Sequence, residues 1–239
     1  MKCIDSNSDV FLPNLHIIAG FDVNTSNTRT LHRNISKFLE SMSSSSVSKM
    51  NEVQIWRGSI LSPDFLQDLR SSIALTDIDG VACIEVIEHL PSVEDATQAA
   101  LNILSFLQPR LAIFTTPNHE ANKVIYLATK NDRFKVNHGP FREEDHKFEL
   151  SRKQFQDWSA DIIERLDTLH GSPTYTTRFF EVGDLSNYPE GKECGGATQG
   201  VIFCRDPHYL PTSNLISEPE RKRRSDLEQT HELCMQWSK

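Results

Sequence analysis

Apolar and polar positions alternate along this chain in two rhythms, one typical of strands and one typical of helices. Four short apolar runs predict buried strands: residues 15–23, 53–56, 80–87 and 111–116. Four stretches with apolar residues at helical spacing predict amphipathic helices: residues 28–42, 62–72, 92–107 and 151–169. Two further strands are predicted after the last helix, over 178–182 and 200–205.

This order of elements predicts an α/β fold, with a doubly wound, mostly parallel sheet that ends in an antiparallel hairpin at one edge. We expect one domain over residues 1–206. The remaining stretch, 207–239, is polar and is expected to form a flexible tail. Its RKRR run (221–224) reads as a solvated basic segment, with RNA contact or nuclear import as the alternative.

Local signals refine two of the predicted helices. Ser62 is placed to cap the second helix, and Pro63 follows at the first helical position, where a missing N–H is tolerated. In the third helix, six apolar residues are predicted to face inward: Val93, Ala96, Ala100, Ile103, Leu104 and Leu107.

Composition narrows the function classes. The chain has 239 residues and a net charge of −8, which excludes general coating of nucleic acid, because that function requires a basic surface. An enzyme that holds only a strand end needs few phosphate contacts and stays possible.

The five cysteines are odd in number and form no CxxC pair, as in reduced intracellular proteins, so a zinc site built on them is not expected. No apolar stretch approaches the length of a membrane span, and MKCIDSNSDV is not a signal peptide pattern.

Polar residues follow the carboxyl ends of four predicted strands, where ligands bind in sheets of this class. These residues are Asp22, Ser59, Glu85 and the segment 115–118. Asp22 would accept hydrogen bonds from ribose hydroxyls, or would cap the next turn. Ser59 would bind an adenine, or would form a turn after Gly58.

Glu85, Glu88 and His89 stand at positions i, i+3 and i+4, so they share one face if the chain becomes helical there. Two carboxylates and an imidazole suit a divalent metal, but acidic residues also favour a solvated first helical turn. His146 is a surface histidine or the fourth ligand of a set that accepts magnesium, manganese or cobalt. The adjacent Asp145 is equally suited to capping a helix.

Three motifs occur in the order typical of one known family: EVIEHL (85–90), FTTPNHEAN (114–122) and FREEDHKFELSRKQF (141–155). Together they resemble the small RNA 2′-O-methyltransferases, which methylate the 3′-terminal ribose of microRNAs, siRNAs and Piwi-interacting RNAs. The resemblance runs from about Ile17 to Arg205 and includes GGATQGVIF (195–203). The chain resembles the compact animal form of the family. This resemblance implies a class I, Rossmann-like methyltransferase sheet.

The resemblance also implies roles for individual residues. It makes Glu85, Glu88, His89 and His146 the ligands of Mg²⁺, or of Mn²⁺ or Co²⁺, and Asp22 and Ser59 contacts of S-adenosyl-L-methionine. The metal would lower the pKa of the terminal 2′-hydroxyl, whose oxygen would attack the sulfonium methyl group in line. His89 is the candidate catalytic residue, because it would help to remove the hydroxyl proton.

Partners and location are implied in the same way. The substrate would be the 3′ end of a single-stranded small RNA, presented by an Argonaute or Piwi protein and protected by methylation from 3′ tailing and decay. We expect a cytoplasmic protein, with RNA granules as one location, and no membrane association.

The sequence departs from the family pattern at two places. Leu150 stands where the family usually has tryptophan, and no glycine-rich cofactor loop lies about 20 residues before Asp22. We therefore expect an N-terminally incomplete methyltransferase that lacks the first strand and this loop. One alternative is a catalytically impaired protein that binds RNA or Argonaute. Another is a metal-dependent hydrolase or oxygenase, which Asp22 and the parallel-sheet order disfavour.

Overall fold

The computed structural model of the chain describes residues 17–22, 30, 33–34, 52–73, 78–129, 141–209 and 232–238. The chain divides into two compact units, one formed by residues 1–73 with 222–239 and the other by residues 74–221. These limits differ from those of the single domain expected over 1–206, whose boundary stays a prediction.

The described strands are, in chain order, β1 (Ile17–Asp22), β2 (Glu52–Arg57), β3 (Gly80–Ile84), β4 (Leu111–Pro117), β5 (Tyr175–Val182), β6 (Thr198–Arg205) and β7 (Glu232–Ser238). The α-helices described over their full length in the same part of the chain are α1 (Pro63–Ile73), α2 (Val93–Asn102), α3 (Asn122–Thr129) and α4 (Arg152–His170). None of the described helices has both the length and the apolar character needed to cross a bilayer.

The first unit contains a sheet of order β1-β2-β7, in which β1 and β2 are parallel and β2 and β7 are antiparallel. Helix α1 begins as predicted, because the Ser62 hydroxyl accepts a hydrogen bond of 3.3 Å from the N–H of Phe65. Phe65 is fully buried in this unit, and its ring centroid lies 6.4 Å from that of Trp56. Phe65 thus fixes α1 against the β2 end of the sheet.

Strand β7 lies within the stretch that was expected to be a flexible tail, and that expectation is wrong for residues 232–238. The polar composition of the stretch hid a short alternation of apolar residues, Leu233, Met235 and Trp237, which is a strand pattern. Pairing with β2 satisfies the backbone polar groups of this segment that face β2. The RKRR run lies outside the described residues.

The second unit contains a sheet of order β3-β4-β6-β5. Strands β3 and β4 are parallel, whereas β6 is antiparallel to both of its neighbours. The predicted hairpin is therefore present, with β5 at the edge. Phe114 packs in the core of this unit, with ring centroids 5.7 Å from Phe203 and 6.1 Å from Trp158.

Two predicted elements of the second unit need correction. Strand β3 ends at Ile84 instead of reaching residue 87, because Glu85 adopts the left-handed conformation with φ +52°. The α-helical part of the predicted helix, α2, ends at Asn102, and a π-helical turn follows over Ile103–Leu107. Five of its six predicted inward residues are buried, but Val93 is exposed, since it opens the first turn after the cap residue Ser92.

Helix α4 follows the prediction closely. Ser151 and Gln154 form a capping box at its start, and Gly171 ends it in the left-handed conformation. The cysteines with described side chains, Cys83, Cys194 and Cys204, are free thiols. Of the helix predicted over 28–42, only Thr30, Arg33 and Asn34 are described, and all three are helical.

Candidate metal centre

Glu88, His89 and His146 come together in the second unit. Their potential ligand atoms all lie within 4.8 Å of one another. Glu88 and His89 belong to a 3₁₀ turn, Ile87–His89, that follows β3, and His146 lies in the segment before α4. The two imidazoles meet edge to face, with ring centroids 4.9 Å apart. Three of the four predicted ligands therefore share one place.

Glu85 shapes the turn that presents these residues. Its N–H donates to the carbonyl oxygen of Thr115 at 3.2 Å and to the Thr115 hydroxyl at 3.1 Å. A positive φ at a non-glycine residue costs of the order of 1 kcal/mol, and such strain is often found at functional sites. The Glu85 carboxylate is not part of the three-residue cluster, so its role as a fourth ligand stays a prediction.

The Glu88 carboxyl group is fully buried. One oxygen, Oε2, accepts a hydrogen bond of 3.1 Å from the Thr116 hydroxyl, while Oε1 has no hydrogen-bond partner among the described residues. Burial raises the pKa of Glu88 to about 7, and the charge of Glu85 adds to the rise, although hydrogen bonds and His146 oppose it. A buried carboxylate oxygen without a donor is well suited to a cation.

Each imidazole of the cluster has a carboxylate at Nδ1. His146 Nδ1 lies 2.6 Å from Glu149 Oε1, and both side chains are buried. His89 Nδ1 lies 3.2 Å from Asp145 Oδ2, and these side chains are 39% and 73% exposed. Carboxylates commonly support metal-binding histidines in this way. Asp145 is not the cap of α4, since Ser151 takes that position.

The donor set fits a divalent cation. One carboxylate with a free oxygen and two imidazoles provide lone pairs within a short distance of one another. Carboxylate and imidazole ligands together accept several divalent metals, and the geometry at the ion would decide among magnesium, manganese and cobalt.

The predicted strand-end segment 115–118 divides into two roles. Thr115 and Thr116 contact the turn that carries the cluster. Asn118, in contrast, is buried and donates hydrogen bonds to the carbonyl oxygens of Cys194 (2.7 Å) and Gly196 (2.9 Å). Its role is to hold the loop before β6.

Sequence reasoning missed Glu149 and Asn122. Glu149 is a buried carboxylate that contacts both Asn122 and His146. The sequence offered one signal, an acidic residue three positions after His146, but only burial distinguishes it from the neighbouring surface acids. Leu150, which stands in place of the family's tryptophan, is buried, and its carbonyl oxygen accepts a 2.8 Å hydrogen bond from Gln199.

The predicted cofactor residues belong to the first unit. The backbone of Asp22 ends β1, but its side chain lies outside the described part of the structure. The Ser59 hydroxyl accepts a hydrogen bond of 3.2 Å from the N–H of Leu61, so it forms a turn, although its own proton could still be donated to a ligand. The roles of Asp22 and Ser59 toward S-adenosyl-L-methionine stay predictions.

No family model matches the chain, but the curated proteins that are similar to it in sequence share one description. The chain is 34% identical over 148 residues to the small RNA 2′-O-methyltransferase of Caenorhabditis elegans, covering 62% of this chain and 27% of the relative. It is 33% identical over 177 residues to that of Drosophila melanogaster, covering 73% and 39%. The chain therefore spans well under half the length of these relatives.

Two solved structures are similar over most of the chain. The small RNA methyltransferase HEN1 has 26% sequence identity and a TM-score of 0.64, covering 94% of this chain and 22% of that one. The methyltransferase domain of bacterial CtHen1-C has 27% identity and a TM-score of 0.51, covering 79% and 77%. These similarities confirm the predicted α/β, Rossmann-like methyltransferase fold class.

Proposed function

The chain belongs to the small RNA 2′-O-methyltransferase family, and on this basis we propose that it methylates the 2′-hydroxyl of the 3′-terminal nucleotide of small RNAs. The methyl donor would be S-adenosyl-L-methionine. The observation that supports the proposal best is the cluster of Glu88, His89 and His146, which unites residues from two separate family motifs.

Glu88, His89 and His146 would hold the divalent cation, with Glu85 as a further ligand. A bound cation would supply positive charge beside the terminal hydroxyls and so lower their pKa. The residues contribute differently: Glu88 and His146 are buried and anchor the site, whereas His89 is partly exposed and is the group that a substrate would reach first.

We propose His89 as the residue that helps to remove the 2′-hydroxyl proton. Its Nδ1 faces Asp145, an exposed carboxylate, so a positive charge that develops on the ring would be stabilised. Because a neutral imidazole has a single lone pair, which is on Nε2 when Nδ1–H faces Asp145, His89 would accept the proton only while Nε2 is released from the cation.

Recognition of a strand end agrees with the charge of the chain. A net charge of −8 leaves little scope for binding long stretches of phosphate backbone. A site that requires both hydroxyls of a terminal ribose would recognise free 3′ ends without a large basic surface.

We also propose a cytoplasmic location, an Argonaute or Piwi protein as the partner that presents the RNA, and protection of the RNA from 3′ tailing.

The decisive test is methyl transfer from labelled S-adenosyl-L-methionine to a short single-stranded RNA, with and without a divalent cation. We expect transfer to an RNA with a free terminal diol, and none after periodate has oxidised that diol. Adding a chelator should abolish transfer, and excess Mg²⁺ or Mn²⁺ should restore it.

A variant pair links the reaction to the cluster. His146→Ala should reduce the rate of transfer by at least about 100-fold, because a ligand is lost and the buried Glu149 carboxylate is left without its imidazole partner. Glu164→Gln, a change on α4 outside the cluster, should leave the rate unchanged. Equal methylation of blocked and free 3′ ends would refute the proposal.

One alternative is a protein that binds RNA or Argonaute without transferring a methyl group. The Ser59 hydroxyl already accepts a backbone hydrogen bond in a turn, which is the simpler of its two predicted roles. Calorimetry with S-adenosyl-L-methionine separates the two functions, because a protein that does not bind the donor cannot transfer its methyl group.

A further inference from the structure

We propose that Glu149 is a positioning residue, which with Asn122 and Arg142 fixes the tautomer of His146 so that Nε2 is left free for a metal ion. This inference deepens the proposed function and rests on it for the role of the metal. The tautomer itself follows from the direction of each hydrogen bond in a partly buried network, starting from a group whose donors are unambiguous.

That group is the Arg142 guanidinium, which can only donate hydrogen bonds. Its Nη2 atom contacts the carbonyl oxygen of Ala197 at 2.7 Å and that of Asn118 at 3.4 Å. Its Nε and Nη2 atoms also contact Asn122 Oδ1, at 3.2 and 3.1 Å. The Asn122 oxygen is therefore the atom that faces Arg142.

This contact determines the orientation of the Asn122 amide. Because its oxygen accepts from Arg142, its NH₂ group faces the other way, toward Glu149 Oε2, and donates a hydrogen bond there. Turning the amide over would place NH₂ against the guanidinium and oxygen against the carboxylate. Both of those contacts would be repulsive, so the observed orientation is the stable one.

Glu149 then has donors at both oxygens. Oε2 accepts from Asn122, and Oε1 accepts from the backbone N–H of Arg142 at 2.6 Å. The His146 Nδ1 atom lies 2.6 Å from the same Oε1. The ionised Glu149 carboxylate can only accept hydrogen bonds, so the proton in this contact belongs to the ring, and neutral His146 carries its hydrogen on Nδ1.

The consequence is that the Nε2 atom of neutral His146 keeps its lone pair, which is what a metal ion requires. The Glu149 side chain is completely buried, and the His146 side chain is only 5% exposed. The ring is therefore set before any ion arrives. His89 differs, because its carboxylate partner, Asp145, is exposed and is a much weaker constraint.

His119 also touches this network from the surface. Its Nδ1 lies 3.7 Å from Glu149 Oε2, and its side chain is 43% exposed. This separation is too long for a hydrogen bond, so His119 does not donate to Glu149 and leaves the assignment of its donors unchanged.

The direct test is the ¹⁵N chemical shift of the His146 ring in the metal-free, full-length chain at about pH 8, where a histidine is ordinarily neutral. We expect the Nδ1–H form to predominate in the unchanged protein. Glu149→Gln replaces an acceptor by an NH₂ group at a position surrounded by the donors of Asn122, Arg142 and His146. We therefore expect the Nε2–H form of His146 in this variant to become about as populated as the Nδ1–H form. A predominant Nε2–H form in the unchanged protein would overturn the inference.

Asn122→Asp provides a second variant in case Glu149→Gln folds poorly. The new carboxylate still accepts from Arg142, but it faces Glu149 Oε2 as a second negative charge instead of as a donor. The two carboxylates then move apart or share a proton, so Glu149 holds His146 less firmly and a smaller fraction of the Nδ1–H form is expected. Glu164→Gln on α4 is the matched control and should leave the tautomer unchanged, and circular dichroism verifies that each variant is folded. A folded Asn122→Asp variant with an unchanged tautomer would contradict the proposed role of Asn122 in holding Glu149.

Manganese affinity links the tautomer to metal binding. Titration of Mn²⁺, followed by its electron paramagnetic resonance signal, should show about 10- to 100-fold weaker binding in Glu149→Gln and Asn122→Asp, as is typical when a ligand's supporting partner is lost. Equal affinity in folded variants would refute the positioning role. If the unchanged protein binds no Mn²⁺, the proposed metal site fails, while the tautomer measurement still decides the inference about Glu149.

Discussion

Burial of the Glu88 carboxyl group couples folding to pH in the metal-free protein. Its pKa is raised from the ordinary 4.5 to about 7, chiefly by burial. Between these values the folded protein keeps a proton that the unfolded chain has released. The free energy of unfolding must therefore fall as pH rises from about 4.5 to about 7, by up to about 3 kcal/mol for this group.

The variant Glu88→Gln tests this coupling, because glutamine keeps a similar shape and stays neutral. At about pH 8, without metal, we expect the variant to be more stable than the unchanged protein by up to about 3 kcal/mol. At about pH 5 the two should be similar, since Glu88 is then protonated in the folded state. Urea denaturation in the presence of a chelator measures both values.

The same variant should lose most of its affinity for divalent cations, so stability and metal binding change in opposite directions. The surface variant Glu164→Gln is the control and should change neither. A Glu88→Gln variant that is less stable than the unchanged protein at about pH 8 would show that the buried charge is compensated in the absence of metal.

At the scale of elements, the connection from β2 to α1 depends on a close backbone approach. A Cβ atom at Gly58 would lie 2.4 Å from the ring of Phe65, which is fully buried. Neither the ring nor the backbone can yield without disturbing the packing of α1. Gly58 is therefore required for space, and Ser59 is positioned by the same connection.

Gly58→Ala should accordingly lower the free energy of unfolding by about 1–3 kcal/mol, the usual cost of overpacking. Gly80→Ala is the matched control in β3, because its Cβ would meet no atom closer than 3.8 Å. Chemical denaturation of both variants provides the comparison. Equal stability of the two variants would contradict the packing explanation.

At the scale of the whole molecule, the acidic charge predicts how RNA would be held. A chain with net charge −8 that binds only a strand end should contact few phosphates. The logarithm of the RNA binding constant should then fall with the logarithm of salt concentration with a slope of about −2 or shallower, as for about three phosphates on a single strand.

Fluorescence anisotropy of a labelled RNA with a free 3′ diol, measured at several salt concentrations, gives this slope. An RNA of the same length with an oxidised 3′ end is the control and should bind more weakly at every salt concentration. A steep slope, with equal binding of both RNAs, would instead indicate a general phosphate-binding surface.

Local patterns determined most of the elements. Helix α4 follows from its apolar spacing and its capping box, and the strands of the second unit follow from short apolar runs. The end of β3 could not be predicted, because the left-handed conformation of Glu85 depends on its hydrogen bonds to Thr115, which lies on another strand. Strand β7 was missed because its partner β2 is distant in sequence.

The candidate ligands were readable from the sequence because Glu88 and His89 are neighbours and His146 lies in a motif of its own. Their meeting within 4.8 Å was decided only by the tertiary structure. The same is true of Glu149, one of several acidic residues in its segment, which becomes distinctive when burial restricts its partners to donors. Sequence determines which groups are available, whereas burial and the direction of hydrogen bonds determine what each group does.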